Sequence, residues 1–301
     1  MTSVIIYQSS KKEVSTADKL TKAIRQLIST QILQTSTQIN IKNIDYEIVD
    51  STNITEKQLD AIISFLQNSS FTVETITDLQ SKKVQLNITI WFDSKRSTIF
   101  TIYFDSEVLG FYFNELNKNS LYIRWDNLND FISHNLLLEQ DKGVLFALIT
   151  ELEQLKDTLF SLKLDTLSDK LESISRTLEP SLDFAIDKGI KIPSGKKTLK
   201  TVKYSLQVIE NPDIEHINNT KALLEELLTE IPAVEELAFY LNKNKLSRIT
   251  LQNQWPIIIQ SNPITIGSSI TTDFHEIEKD YKWITIHSEA INLATLSSEE
   301  F

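Results

Sequence analysis

The side chains in this chain that could do chemistry are 41 carboxylates, 30 lysines and arginines, and four histidines; cysteine is absent. Thiolate nucleophiles, thiolate zinc sites and iron–sulfur clusters are therefore excluded, as is any disulfide framework. The histidines are His134, His216, His275 and His287. The last two stand twelve residues apart, near Asp273, Glu276, Glu278 and Asp280, and imidazole with carboxylate is a donor set for a divalent ion. The zinc-hydrolase spacing His-Glu-x-x-His is not met, because Lys279 occupies the second histidine position. A charged loop between strands has the same composition. No metal and no cofactor is assigned, and a metal-assisted hydrolase using His275 and His287 is the third reading.

Phosphate chemistry would need glycine. The chain has five, never three close together, which excludes the dinucleotide-binding turn. Gly189-Ile-Lys-Ile-Pro-Ser-Gly-Lys-Lys-Thr198 comes nearest to a phosphate loop. Its glycines are separated by five residues instead of four, and Lys197 stands where Ser or Thr would hold magnesium. Pro193 also removes a backbone N–H that such a loop aims at phosphate. What remains is a run of five lysines, Lys191, Lys196, Lys197, Lys200 and Lys203, with no acid between 189 and 203. Lysines so spaced can hold an anion, which makes a nucleic-acid- or phosphate-binding protein the second reading. The plainer one is a solvated basic turn. A serine nucleophile elbow, Gly-x-Ser-x-Gly, is missing too. No catalytic residue is assigned.

Aromatic side chains supply the remaining candidate. Ten of the 26 fall between Trp91 and Trp125, in four β-rich runs separated by Asp93–Arg96, Asp105–Ser106 and Asn114–Asn119. Period-2 alternation puts Leu86, Ile88, Ile90 and Phe92 on one face of the first run. Phe100, Ile102 and Phe104, then Leu109, Phe111 and Phe113, then Leu121, Ile123 and Trp125 match them. These faces predict a four-strand antiparallel meander over 83–125. On its other face the same registers predict a row of Trp91, Ile99, Tyr112 and Tyr122, with Arg124 beside Gly110 in the next row and Tyr103 one row beyond. Stacked rings beside an arginine suit a ligand or a partner; burial under the chain's own helices is the competing reading.

The elements that must position these groups read as α+β. Ser15–Asp18 opens a helix carrying Leu20, Ile24, Leu27 and Ile28, and a second helix spans 55–66. Strands are expected over about 38–49. Residues 144–179 contain neither Gly nor Pro, and leucines recur from Leu145 to Leu162 at helical spacing, then from Leu164 to Leu178 in shifted register. One long helix or a helical hairpin is expected there. Beyond it come a strand over 198–209, helices over 219–230 and 233–241, and short strands near 248–251, 255–259, 264–266, 281–287 and 291–296. The organisation expected is a 1–140 α+β domain with an antiparallel sheet, a 141–190 helical middle and a smaller 191–301 α+β domain.

Net charge is −11, and residues 151–301 hold 24 acidic against 16 basic side chains. That balance opposes broad attachment to DNA or anionic lipid. No run approaches the length of a membrane span, and Met1–Tyr7 is too short for a secretory core. A cytoplasmic protein with no membrane attachment is expected. Without a catalytic motif, the leading reading is a non-enzymatic interaction or assembly component. Its expected partner is a protein, including further copies of itself through the leucine series at 145–178, with nucleic acid less favoured.

Overall fold

The computed structural model describes residues 15–30, 32–46, 56–93, 95–113, 121–128, 150, 152–158, 160–161, 182–194, 197–208, 234–259, 262–275, 283 and 291–292. Helix α1 spans Thr16–Ile28 and α2 spans Glu56–Gln67. The strands are β1 Ile32–Tyr46, β2 Ser69–Asp78, β3 Lys83–Phe92, β4 Lys95–Asp105, β5 Val108–Phe113, β6 Leu121–Arg124, β7 Leu182–Ser194, β8 Lys197–Val208, β9 Val234–Asn242, β10 Lys245–Ile259, β11 Asn262–His275 and β12 Ile291–Asn292. All twelve lie in one sheet, ordered β12-β6-β5-β4-β3-β2-β1-β11-β10-β9-β8-β7. Every pair is antiparallel except β12 with β6.

This sheet corrects the expected fold class. Strands from 1–140 and from 191–301 do not form separate sheets with a long helical middle between them. They join where β1 pairs with β11 over twelve residue pairs, from Gln34 with His275 to Tyr46 with Ile264. The helices α1 and α2 are short, 13 and 12 residues. Within 144–179, residues 150, 152–158 and 160–161 are helical, and the rest of the leucine series lies outside the described residues. Two stretches expected as helix or turn are strands. Residues 234–242 form β9, although Glu-Glu-Leu-Ala favours helix. Pairing overrides propensity there: Leu237, Phe239 and Leu241 alternate with Glu236, Ala238 and Tyr240, and the β9–β10 turn is closed by Lys243 and Asn244, both at positive φ. In the basic stretch 189–203 the strand expected from 198 stands as part of β8, and residues 189–194, expected as a turn, continue β7, so the stretch supplies both arms of the β7–β8 hairpin. The short strands expected between 248 and 266 are portions of the long β10 and β11. The helix expected over 219–230 and the strand over 281–287 fall outside the described residues, apart from Trp283.

Other expectations stand. Ser15 caps α1, its Oγ accepting from the Asp18 N–H at 3.1 Å, which satisfies one of the first-turn donors. β3 to β6 form the meander with the apolar faces opposed as alternation requires: Leu86 pairs with Ile102, Ile102 with Phe111, and Phe111 with Leu121.

One face of the sheet carries the hydrophobic core. Leu20 and Ala23 of α1 pack on Tyr204, Leu241 and Leu246. Leu59 and Ile63 of α2 pack on Ile44 and Ile264. Leu152, from the helical residues near 152–161, joins Val84, Phe104, Leu109, Ile123, Trp125 and Leu128. Following the pairings from strand to strand puts these sheet residues on the same side. Each large side chain so buried stabilises the fold by about 1.5–3 kcal/mol before entropy is counted. The other face is mainly polar, although it also buries Ile76 and Ile192.

Candidate interaction surface

On that polar face, residues directly opposite one another form a row that crosses ten strands. It runs Asp187, Lys203, Tyr240, Arg248, Asp273, Ser36, Glu74, Asn87, Thr101, Tyr112, from β7 to β5. At roughly 4.8 Å between strands the row is about 43 Å long. Charge is ordered along it. Asp187 faces Lys203 and Arg248 faces Asp273, whereas Tyr240 separates the two cations and Ser36 separates Asp273 from Glu74. Directly opposed like charges destabilise a sheet, and none occurs in this row.

The row's cations are held. Arg248 grips Asp273 with two parallel bonds, Nε to Oδ1 at 2.6 Å and Nη2 to Oδ2 at 2.8 Å. Planar guanidinium and carboxylate match in this geometry, and both side chains are largely buried. Lys203 Nζ donates to Glu236 Oε1 at 2.8 Å and lies 6.0 Å from the Tyr240 ring centre. That hydrogen bond is the main cause of the Lys203 ammonium being held above its ordinary titration range. Glu236 Oε2 accepts from Gln252, whose own carbonyl accepts from Lys42.

Near β3 and β4 the same face is closed, and its side chains meet through hydrogen bonds with no ion pair among those described. Gln85, Thr101 and Tyr103 are buried. Gln85 Nε2 and Thr101 Oγ1 both donate to Asn87 Oδ1, at 3.0 Å each, and Tyr103 donates its phenol proton to Asp105 at 2.9 Å. Burial is the leading reason the Tyr103 hydroxyl titrates well above a free phenol, with its bond to the Asp105 carboxylate second. A phenol held neutral in this way is a structural group; it is no proton carrier near pH 7.

Trp91, Tyr112, Tyr122 and Arg124 share the polar face but not one row. Each of the three hairpin registers differs by two residues from the one expected. Ile99 pairs with Thr89 and Trp91 with Arg96; Tyr112 pairs with Thr101, and Tyr122 with Gly110. A slip of two preserves every face and moves every row, since side chains alternate with period two. Trp91 is consequently about 13 Å along the strands from Tyr112's row, at roughly 3.3 Å per residue, and it hydrogen-bonds Thr72. Gly110 sits between Tyr103 and Tyr122, not beside Arg124. Arg124 is half-exposed and contacts Asp126 at 3.3 Å.

The five lysines are divided as well. Lys191 and Lys200 pair with each other on the helix-bearing side; Lys197 and Lys203 lie on the polar side; Lys196 falls outside the described residues. His275 ends β11 opposite Gln34, and His287 lies outside the described residues. Among the described residues there is no group of three or more side chains placed to hold a metal, and no helix is long and apolar enough to cross a membrane.

Sequence reasoning singled out Lys203 and Tyr112, and named Asp273 only beside His275; the other residues of the charged row it did not find. Their signal was present in the alternation of β10 and β11, where Arg248, Thr250 and Gln252, and Ser269, Thr271 and Asp273, occupy one side. No family model matches the chain, and no curated protein shows significant similarity to it.

Proposed function

We propose that this protein is a non-enzymatic interaction or assembly component whose working surface is the polar face of the sheet, and that its partner is a protein. The observation that supports this reading is the ten-strand row, in which Arg248 and Asp273 neutralise one another and Lys203 is neutralised by Glu236 from outside the row. Acids and bases paired in this way are fixed in place and are not poised for proton transfer. A broad surface of alternating charge with Tyr112 and Tyr240 along it favours a protein of complementary pattern over a polyanion. Glu74 and Asp187 are the exposed acids of the row, outside its paired centre.

The test is a double reversal, Glu74→Lys with Asp187→Lys, compared with the wild type by affinity purification from native cells and by thermal unfolding. A partner recovered in fixed stoichiometry by the wild type and lost by the variant, at equal thermal midpoint, is the expected result. An unchanged set of partners at equal stability overturns the proposal.

A further inference from the structure

Like charges set directly opposite one another destabilise a sheet. Among the described pairings this happens once, where Lys191 of β7 faces Lys200 of β8. Both side chains are exposed, and no described carboxylate pairs with either. The backbone brings a third lysine to them. In a regular strand Lys188 and Lys191, three residues apart, would point to opposite sides. The bulge between Lys188 and Ile190 cancels that alternation: Lys188 faces Val202 and Lys191 faces Lys200, both on the helix-bearing side. Gly189 makes the bulge at φ 78°, and the Lys200 stem lies across it, since a Cβ at 189 would meet Lys200 Cε at 3.3 Å. Protection of an outer strand by lysine would account for Lys188 and Lys191. It does not account for Lys200, whose strand lies between β7 and β9 and whose carbonyl accepts from Asn242 at 2.8 Å. On its reverse side the hairpin buries Ile192 and Thr201, which holds the lysine-bearing side in place.

We infer that Lys188, Lys191 and Lys200 form a binding site for a compact, multiply charged phosphate compound, a short polyphosphate. This goes beyond the polar-face reading and uses the opposite side of the sheet, so either can fail alone. Opposed Cβ atoms lie about 5 Å apart, and the Lys188 position is about 7 Å along the strand. Three long side chains at that spacing can converge on adjoining phosphate groups, and a bound anion offsets the repulsion between Lys191 and Lys200. Lysine serves phosphate as a point charge. The other exposed residues on this side of the hairpin next to the lysines, Pro193 and Thr198, offer neither a ring to stack a base nor a guanidinium fork for a carboxylate. Net charge of −11 opposes a long polyanion, whereas a short one meets only the local patch, where residues 188–203 contain no acid.

The test is isothermal titration calorimetry of the full chain at low salt with inorganic tripolyphosphate. Saturable binding is the expected result for the wild type. Lys191→Gln and Lys200→Gln should each weaken it about tenfold, with unchanged circular dichroism. Lys197→Gln removes the same charge from the other side of the same hairpin and should leave the affinity largely unchanged. Saturating tripolyphosphate should raise the thermal midpoint of the wild type and leave that of the double variant, Lys191→Gln with Lys200→Gln, unmoved. No binding at low salt overturns the inference. So does an equal loss in Lys197→Gln, which marks diffuse attraction to the hairpin as a whole. Tighter binding of a duplex DNA oligonucleotide through the same lysines also overturns it, because it assigns the patch to a long polyanion.

Discussion

The polar face of the sheet is held together differently at its two ends. Around β3 and β4 it is largely buried, and single hydrogen bonds replace ion pairs: Gln85 and Thr101 meet on the Asn87 amide, and the neutral Tyr103 phenol meets the Asp105 carboxylate. Around β8 to β11 it is partly open, and ion pairs span neighbouring strands, Arg248 with Asp273 and Lys203 with Glu236. Solvent access accounts for the difference. A buried charge carries a desolvation cost that a neutral amide avoids, while a partly hydrated pair keeps its attraction at a smaller cost. The open end can therefore display charge to a partner, and the closed end locks strand register.

The largest expected loss is on neither end but on the opposite face, which sets the scale. Phe104 is fully buried against Trp125 and Phe160, and Phe104→Ala should cost about 3–5 kcal/mol in chemical unfolding. At the open end, Asp273→Ala leaves Arg248 without its carboxylate and should cost about 1–3 kcal/mol. If Asp273→Ala were neutral, the bidentate pair would not be holding β10 to β11.

At the closed end, Tyr103→Phe removes one hydrogen bond and should cost about 1 kcal/mol near pH 7. Its clearer sign is alkaline. Tyr103 is held neutral in the folded state, so its contribution is complete below the ordinary phenol value of 10.0 and is lost as pH rises beyond it. Lys203, also raised, loses its contribution above its ordinary 10.5. Stability measured across pH 9–11 should fall less steeply in Tyr103→Phe than in the wild type. Equal slopes would remove Tyr103 as a source of the alkaline loss.

An effect of similar size is expected at the seam between the two halves. Gly267 of β11 faces Asn43 of β1, and a Cβ there would run into the Asn43 amide. Gly267→Ala should cost about 1 kcal/mol, and adding Asn43→Ala should restore most of it. Smallest of all, Lys203→Ala should cost under about 1 kcal/mol, with the loss shrinking as salt is added. Tyr103→Phe should be indifferent to salt, which separates the two ends of the face in a single titration.

Legibility in the sequence followed the strength of alternation. The meander β3 to β6 was readable because Leu86, Ile102, Phe111 and Leu121 are strongly apolar at every second position. Its rows were not, because faces survive a two-residue slip. Register depends on turn details such as Asp93 at positive φ and Asp105 accepting from the N–H groups of Glu107 and Val108. β9 was hidden by helix-favouring residues. β7 was hidden by Gly189 and Pro193, which read as a turn and which the strand accommodates with a bulge between Lys188 and Ile190. The charged row was not legible because it is assembled from strands more than 200 residues apart, as Ser36 and Asp273 show.

Both halves build one sheet, and the β1–β11 seam is where they join. Gln38 and Thr271 face each other there on the polar side, while Thr272 points to the other. In this cysteine-free chain, Gln38→Cys with Thr271→Cys should close an intramolecular disulfide under mild oxidation, and Gln38→Cys with Thr272→Cys should not. Failure of the first pair to close, or closure of the second in its place, would contradict the continuous sheet and the surface built on it.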